Sequence, residues 1–317
     1  MNNGIHRQVP MFVSFGMFPI FVLPYSFWLM RIVRILVLLA AVTLSVTAAR
    51  AGVPVISPDL STPTLVAPRW FGPNAFPVPA MSDGLVGTQP EAELAGDYFS
   101  GRLTGGRDRT WDAFLRLHLP LWSERAALTV WFPAVEYWSY DESVREARHI
   151  LSPASGDPGH DSGDVYVSLD IQLLTETSRR PALLLRSVLK TASGNSFGYA
   201  RYYDSPGYFF DLTAGKGFGP VRFAATTGFL CWQTDNGRQN DAVMYGLGAF
   251  YNGRTLSLSA QWGGYVGWER SGDAPMSVRG RAGFKFGRFE PYLSVQHGLR
   301  DWPFTQFRLG CVYRWGL

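Results

Sequence analysis

Asp164-Val165-Tyr166-Val167-Ser168-Leu169-Asp170-Ile171-Gln172-Leu173 is the stretch on which the fold turns. Side chains alternate across an extended chain, so Val165, Val167, Leu169, Ile171 and Leu173 share one face while Asp164, Tyr166, Ser168, Asp170 and Gln172 share the other. One face suits lipid and the other water. From about Gln89 to the carboxyl terminus the same alternation returns in segment after segment, separated by long polar loops and very short turns in turn. In lipid no backbone amide or carbonyl can stay unpaired, so a chain that crosses by strands must close them into a barrel. The expected fold is all-β, an antiparallel transmembrane β-barrel of about 12 strands, with roughly 10 to 14 admitted by the pattern.

Composition does not reveal this. Hydrophobic residues make up 46% of the chain and mean hydropathy is −0.02, values a soluble protein shares. A barrel hides its apolar surface by alternation, whereas helical spans need windows of about 20 apolar residues, and such windows occur only before residue 50. There, Arg31 and Arg34 precede an apolar stretch over 35–46, and Ala49-Arg50-Ala51 offers a small-x-small cleavage site. Residues 30–51 therefore read as a signal peptide cut after Ala51, with Gly52 as the new amino terminus. Residues 1–29, broken by Pro10, Pro19 and Pro24, fit no signal pattern and read as a mis-called start or an extension. Cleavage removes Arg7, Arg31, Arg34 and Arg50, four of 29 basic residues and none of the 25 acidic ones, leaving 25 of each. A nucleic-acid partner loses its electrostatic support.

Residues 52–88 are of another kind. They hold many prolines, which cannot donate to a strand ladder, together with Trp70, Phe71, Phe76 and Met81. A plain flexible tail is poor in aromatics, so these side chains are expected to pack on something. A plug within the barrel and a strap along its periplasmic rim both satisfy that. The barrel itself spans 89–317, with strands starting near Gln89, Thr110, Ala126, Asp164, Pro181, Tyr208, Val221, Ala242, Thr255, Met276, Phe289 and Phe304. Longer loops fall at 101–109, 139–163, 193–207, 234–241, 270–275 and 298–303, and tight turns lie between them, including Asn252-Gly253, whose pairing signals a hairpin with positive φ at both central residues. Short turns and both termini are expected in the periplasm, and long loops outside.

The last segment, with Thr305, Phe307, Leu309, Cys311, Tyr313, Trp315 and Leu317 on one face, resembles the terminal strand of Gram-negative outer-membrane β-barrel proteins. The resemblance covers roughly 89–317 and ends in leucine where phenylalanine is more usual. It implies an outer-membrane location, outer-membrane lipids as surroundings, and recognition by the barrel-assembly machinery. Trp111, Tyr137, Trp138, Tyr140, Tyr208, Trp232, Trp268 and Trp302 are expected to form an outer aromatic girdle, with Trp122 and Trp315 on the periplasmic side. Cys231 and Cys311, far apart in strand order, read as free lipid-facing thiols.

Lumenal residues follow from the same parity. With Val278, Ala282, Phe284 and Phe286 outward, Arg279, Arg281 and Lys285 point in. A slip of one residue would set three cations in lipid at about 2 to 4 kcal/mol each near the midplane, so the register is well determined. Asp112, Arg116, His118, Asp164, Asp170, Arg186, Lys190, Asp211, Arg222, Glu290 and Arg308 join them on the inward face. Such charges either pair to rigidify the barrel or form a constriction that selects solutes.

Enzyme motifs of outer-membrane barrels do not match. The outer-membrane phospholipase pattern is met only by Gln296-His297-Gly298, which lacks the serine, and the lipid A deacylase pattern only by Thr234-Asp235-Asn236-Gly237, in the wrong loop. His118, Ser168 and Asp170 could in principle make a nucleophilic trio. The oxygen-rich loop 156–164 could take a divalent cation but has no recognised spacing, and the fatty-acid channel family, with its amino-terminal hatch, offers only an analogy for 52–88. No catalytic residue, metal or cofactor is assigned. The expectation is a narrow or plugged pore for a small solute. The alternatives are a non-conducting structural or adhesive barrel acting through its outer loops, and a lipid-modifying enzyme.

Overall fold

The computed structural model describes residues 69, 71–121, 125–148, 158–194, 206–232, 241–267 and 274–316. The expected extension over 1–29, the signal peptide over 30–51, the girdle residues Trp122 and Trp268, and the 234–237 loop lie outside the described residues.

Alternation of apolar and polar residues gives the strands β1 (Glu91–Gly101), β2 (Asp108–Leu121), β3 (Ala126–Tyr140), β4 (Gly159–Asp161), β5 (Tyr166–Leu174), β6 (Ala182–Lys190) and β7 (Gly207–Phe218). They continue as β8 (Val221–Cys231), β9 (Asp241–Asn252), β10 (Leu256–Gly267), β11 (Met276–Phe284), β12 (Phe289–Arg300) and β13 (Phe304–Arg314). Neighbours pair antiparallel, and β13 returns to β1 with Leu94 opposite Cys311, closing a 12-strand barrel. β4 is not part of that wall. It adds a short pairing to the far end of β3, with Tyr137 opposite His160. The starts expected from the sequence lie within two residues of those observed.

Register places the apolar set outward, as the alternation demands. Leu94, Leu169, Leu247, Leu258, Phe284, Leu293, Phe307 and Leu309 are all exposed on the outer wall. The end that carries the tight turns and the one that carries the longer connections are distinct. At the short-turn end Gly219 (φ 63°) and Gly287 (φ 60°) occupy the first central position of two-residue loops, the place where a type II′ hairpin requires glycine. The Asn252-Gly253 expectation is corrected. Asn252 stays on the ladder opposite Ser257, Gly253 N donates to Leu256 O (2.9 Å), and neither residue has positive φ. Strand pairing there moves the turn one step on, to Arg254-Thr255.

At the long-loop end the connection after β3 contains a helix that the alternation did not foresee, α1 (Glu142–Ala147). Its Val144 is buried against Trp138 and Tyr140. Just beyond it Arg148 is buried in an ion pair with Asp108 of β2 (2.6 Å) and lies over the Phe304 ring (5.6 Å). In β3, Pro133 sits at a bulge, where Phe114 and Ala113 face Pro133 and Val135. A bulge tolerates the missing N–H that a regular ladder would not.

Candidate functional site: the barrel interior

Residues 71–88 precede β1 and meet side chains of the wall along their length. Inward-facing side chains read their backbone in order. Trp302 Nε1 donates to Pro73 O (3.2 Å) and the Tyr265 hydroxyl to Phe76 O (3.2 Å). Arg279 donates to Val78 O (3.3 Å) and Arg186 to Ala80 O (2.8 Å). Further toward the short-turn end, Met81 N donates to Gln261 Oε1 (3.0 Å) and Val86 N to Gln172 Oε1 (2.8 Å). Gln172 Nε2 donates to Gly84 O (3.0 Å), and His118 Nε2 meets Gly87 O (3.1 Å). A proline-rich segment cannot join a ladder, so its carbonyls need side-chain donors instead.

The wall is also cut to receive it. A Cβ at Gly215 of β7 would collide with Asp83 O, and one at Gly246 of β9 with the Met81 sulfur. Gly84, at φ 88°, lies against the Gly215 backbone, where a side chain would come within 2.8 Å of Gly215 N. These glycines let two backbones approach as side chains would not.

The interior has two zones. Toward the long-loop end, Phe71, Phe76 and Val78 are buried in one apolar cluster with Phe99, Tyr166, Phe209, Trp232, Tyr265, Trp302 and Phe304. The rings meet edge to face: Phe71 on Phe76 at 4.9 Å, Phe209 on Trp232 at 5.9 Å and Tyr166 on Trp232 at 6.3 Å. Such geometry suits the ring quadrupoles. Toward the short-turn end the inward faces are charged. Arg308 grips Asp97 through two bonds of 2.6 Å, with Gln306 on the same carboxylate (2.9 Å) and the Phe114 ring beneath the guanidinium (3.8 Å). Arg116 reaches Glu91 (3.3 Å) and Glu93 (3.2 Å), Arg314 joins Glu91 to Glu290 (2.8 Å each), and Arg281 meets Glu290 (2.8 Å). On adjacent strands Arg186 of β6 pairs with Asp211 of β7 (2.6 Å), and at the short-turn rim Arg222 pairs with Glu176 (2.6 Å). These interior charges are thus met by opposite charges, which offsets much of their desolvation.

The sequence-expected residues divide among these roles. Arg116, Arg186, Asp211, Arg222, Arg281, Glu290 and Arg308 belong to the ion-pair networks just described. Asp112 accepts from Asn74 Nδ2 of the inner segment (2.7 Å), while Arg279 holds Val78 O and Gln296 Oε1. Lys190 and Asp164 form a buried pair (2.6 Å) level with Tyr166. Lys285 lies at the short-turn rim, where its Nζ donates to Gly253 O (2.9 Å) and to Asn252. His118 is bonded to Thr129 (2.9 Å) and Gly87, whereas the Ser168 hydroxyl donates to Asp170 (2.5 Å). The serine is directed to the carboxylate and not to the imidazole.

Two expectations are overturned. Trp138, Tyr140, Trp232 and Trp302 are buried, so they face the interior and not a lipid girdle, whereas Trp111 and Tyr137 are exposed on the outer wall. Their parity, and not their nearness to strand ends, decides the side. Cys231 is buried where β8 passes into its loop and is not lipid-facing; Cys311 is half-buried on the outer wall, and neither is in a disulfide. Sequence reasoning also missed the inward aromatics Phe99, Phe209, Tyr265 and Phe304 and the acids Glu91, Glu93 and Asp97. For Phe209 and Phe304 the available signal was parity with the assigned Asp211 and Arg308; β1 and β10 carried no assigned inward residue.

Outside the wall Glu176 lies in the turn after β5. The Gly217 amide (3.0 Å), and then Arg222, hold its carboxyl down at about 2 against opposing desolvation. Among the described residues no cluster of histidine, cysteine and acidic groups suits a metal ion.

No family model matches the sequence, and neither does any curated protein. Among solved structures the chain is similar to an outer-membrane channel from Pseudomonas putida F1, with 10% identity over 75% of this chain and 100% of that one and a TM-score of 0.52. It is also similar to the NanC porin, at 9% identity over 71% and 100% with a TM-score of 0.48, and to outer membrane phospholipase A from Escherichia coli, at 11% over 72% and 91% with a TM-score of 0.40. At such identities the likeness is one of fold. The chain has the closed antiparallel β-barrel fold of outer-membrane proteins.

Proposed function

We propose that the protein is an outer-membrane pore for a small solute, closed at rest by residues 71–88 acting as a plug. The observation that carries this reading is the fit between the segment and the wall, with Gly215 and Gly246 cut back to admit Asp83 and Met81. A barrel of twelve strands lies between those filled by their own side chains and those with an open channel, so an inserted segment controls whether anything passes. The seal is localised. The segment's buried aromatic side chains, Phe71 and Phe76, lie toward the long-loop end with Val78, whereas near its other end only Val86 of the pair Leu85-Val86 is buried and Leu85 is 39% exposed. Under this reading the short turns face the periplasm, residues 30–51 direct export, and the apolar outer face of β13 presents itself to the barrel-assembly machinery. The reading assigns no catalytic role to His118, Ser168 or Asp170.

Single-channel conductance in a planar bilayer tests it, comparing a chain that starts at Gly52 with one that starts at Thr88. Conductance confined to, or much larger in, the shorter chain is the expected result. Silence in both forms would sink the pore and leave the loops or the outer wall as the working surface. Lipid hydrolysis abolished by Ser168→Ala would replace it with an enzyme.

A further inference from the structure

Resting on the pore reading, the geometry points to a binding site for a small neutral aromatic molecule carrying one hydrogen-bond acceptor, located in the aromatic layer and filled at rest by Phe71 and Phe76. Aromatic side chains turned into a lumen are out of place in a water-filled pore, where an apolar ring would shed water. Here they form a box, and two rings of a tethered segment sit in it. Below Val78 the tether's further buried apolar anchor is Val86, packed with Ala127 and Leu184, while Leu85 is exposed.

A second observation specifies the ligand. The Trp232 side chain is 1% exposed, and its Nε1 finds no acceptor among the described residues. A buried donor left unmet is costly, and indole N–H groups in such places ordinarily find a partner. Phenylalanine rings fill the box but cannot accept from it. Trp302 Nε1 and the Tyr265 hydroxyl donate to the segment's own carbonyls, Pro73 O and Phe76 O. When the segment leaves, the Trp232 indole N–H is still without an acceptor among the described residues and Trp302 Nε1 loses its bond to Pro73 O, beside one apolar cluster. An aryl ketone, aldehyde or ether meets that demand, with its ring in place of Phe76 and its oxygen on a donor. The ligand is neutral because around the box Lys190 pairs with Asp164, Arg186 with Asp211 and Arg148 with Asp108.

Because the segment competes for the site, its removal raises apparent affinity by the reciprocal of the fraction of time the site stood free. Acetophenone is the probe and ethylbenzene its acceptor-free counterpart, titrated by saturation-transfer NMR against the chain from Gly52 in detergent micelles. Phe71→Ala/Phe76→Ala is expected to bind acetophenone at least about tenfold tighter than the unsubstituted chain. Adding Trp232→Phe, which keeps a ring and removes the N–H, is expected to cut the preference for acetophenone over ethylbenzene about fivefold. Equal affinity with and without the two phenylalanines, or an unchanged preference without the indole N–H, would overturn the inference. Heat-modifiable gel mobility reports folding of each variant. Should the double variant not fold, Phe76→Leu carries the same test with a smaller gain. Conductance of the same preparations separates the two ideas: probe binding without any conductance removes the pore and keeps the site, and conductance without probe binding does the reverse.

Discussion

The two zones of the interior solve the same problem in opposite ways. Near the short-turn end, inward charges are met by opposite charges on neighbouring strands, as in the chain from Arg116 through Glu91, Arg314 and Glu290 to Arg281. Those contacts are wall to wall. Near the long-loop end the inward aromatics contact Phe71 and Phe76, which belong to a segment and not to the wall. The charged zone therefore holds the barrel's shape whether or not the segment is present, while the aromatic zone is complete only when the segment is in place. A removable closure belongs in the second kind of zone.

Several substitutions would break or sharpen that contrast. The largest effect is expected from Gly215→Val, because its side chain would collide with Asp83 O. The segment should be expelled while the wall stays closed, giving conductance near that of the chain from Thr88 with unchanged heat-modifiable mobility. Closed-state behaviour in that variant would show that the fit at Gly215 does not hold the segment. Asp97→Asn comes next. It weakens the carboxylate on which Arg308 and Gln306 converge, and should lower stability by about 1 to 3 kcal/mol, read as a shift in the urea midpoint. The loss should be the same in a chain lacking residues 71–87, since the network is wall to wall.

Trp302→Phe is expected to have a smaller consequence and the opposite dependence. It keeps the ring and removes the donor to Pro73 O, at about 1 kcal/mol. Its cost should vanish when the segment is absent, which a double-mutant comparison of urea midpoints would reveal. The smallest effect concerns acid. Glu176 has its carboxyl held at about 2 against an ordinary 4.5, so its contribution is fully present above pH 4.5 and is lost as pH falls toward 2. Glu176→Gln should therefore flatten the pH dependence of unfolding in that window and leave it unchanged at neutral pH.

Much of the wall was legible because alternation has a period of two, and a lipid-facing set admits one register. Arg279 and Arg281 could be placed inside from Val278, Ala282 and Phe284 alone. The helix α1 and strand β4 were hidden in a polar loop, where no apolar face enforces a pattern. The aromatics were misread for a definite reason. Trp232 and Trp302 lie near strand ends, where a girdle is expected, yet side depends on parity and Trp232 shares that of Leu230. Asn252-Gly253 misled likewise, because a local turn preference yielded to the ladder that pairs Asn252 with Ser257.

The sequence by itself determined that this protein is a barrel, where its strands begin and which face of each looks inward. These follow from local chemistry, since each strand must hide its backbone and show lipid its apolar side. What fills the enclosed space was decided only in three dimensions. The bonds from Trp302 to Pro73 and from Gln296 to Val78 join residues 229 and 218 positions apart, and the notch at Gly215 has meaning only once Asp83 is beside it. A period of two names the face of a side chain but carries no information about which distant segment will meet it.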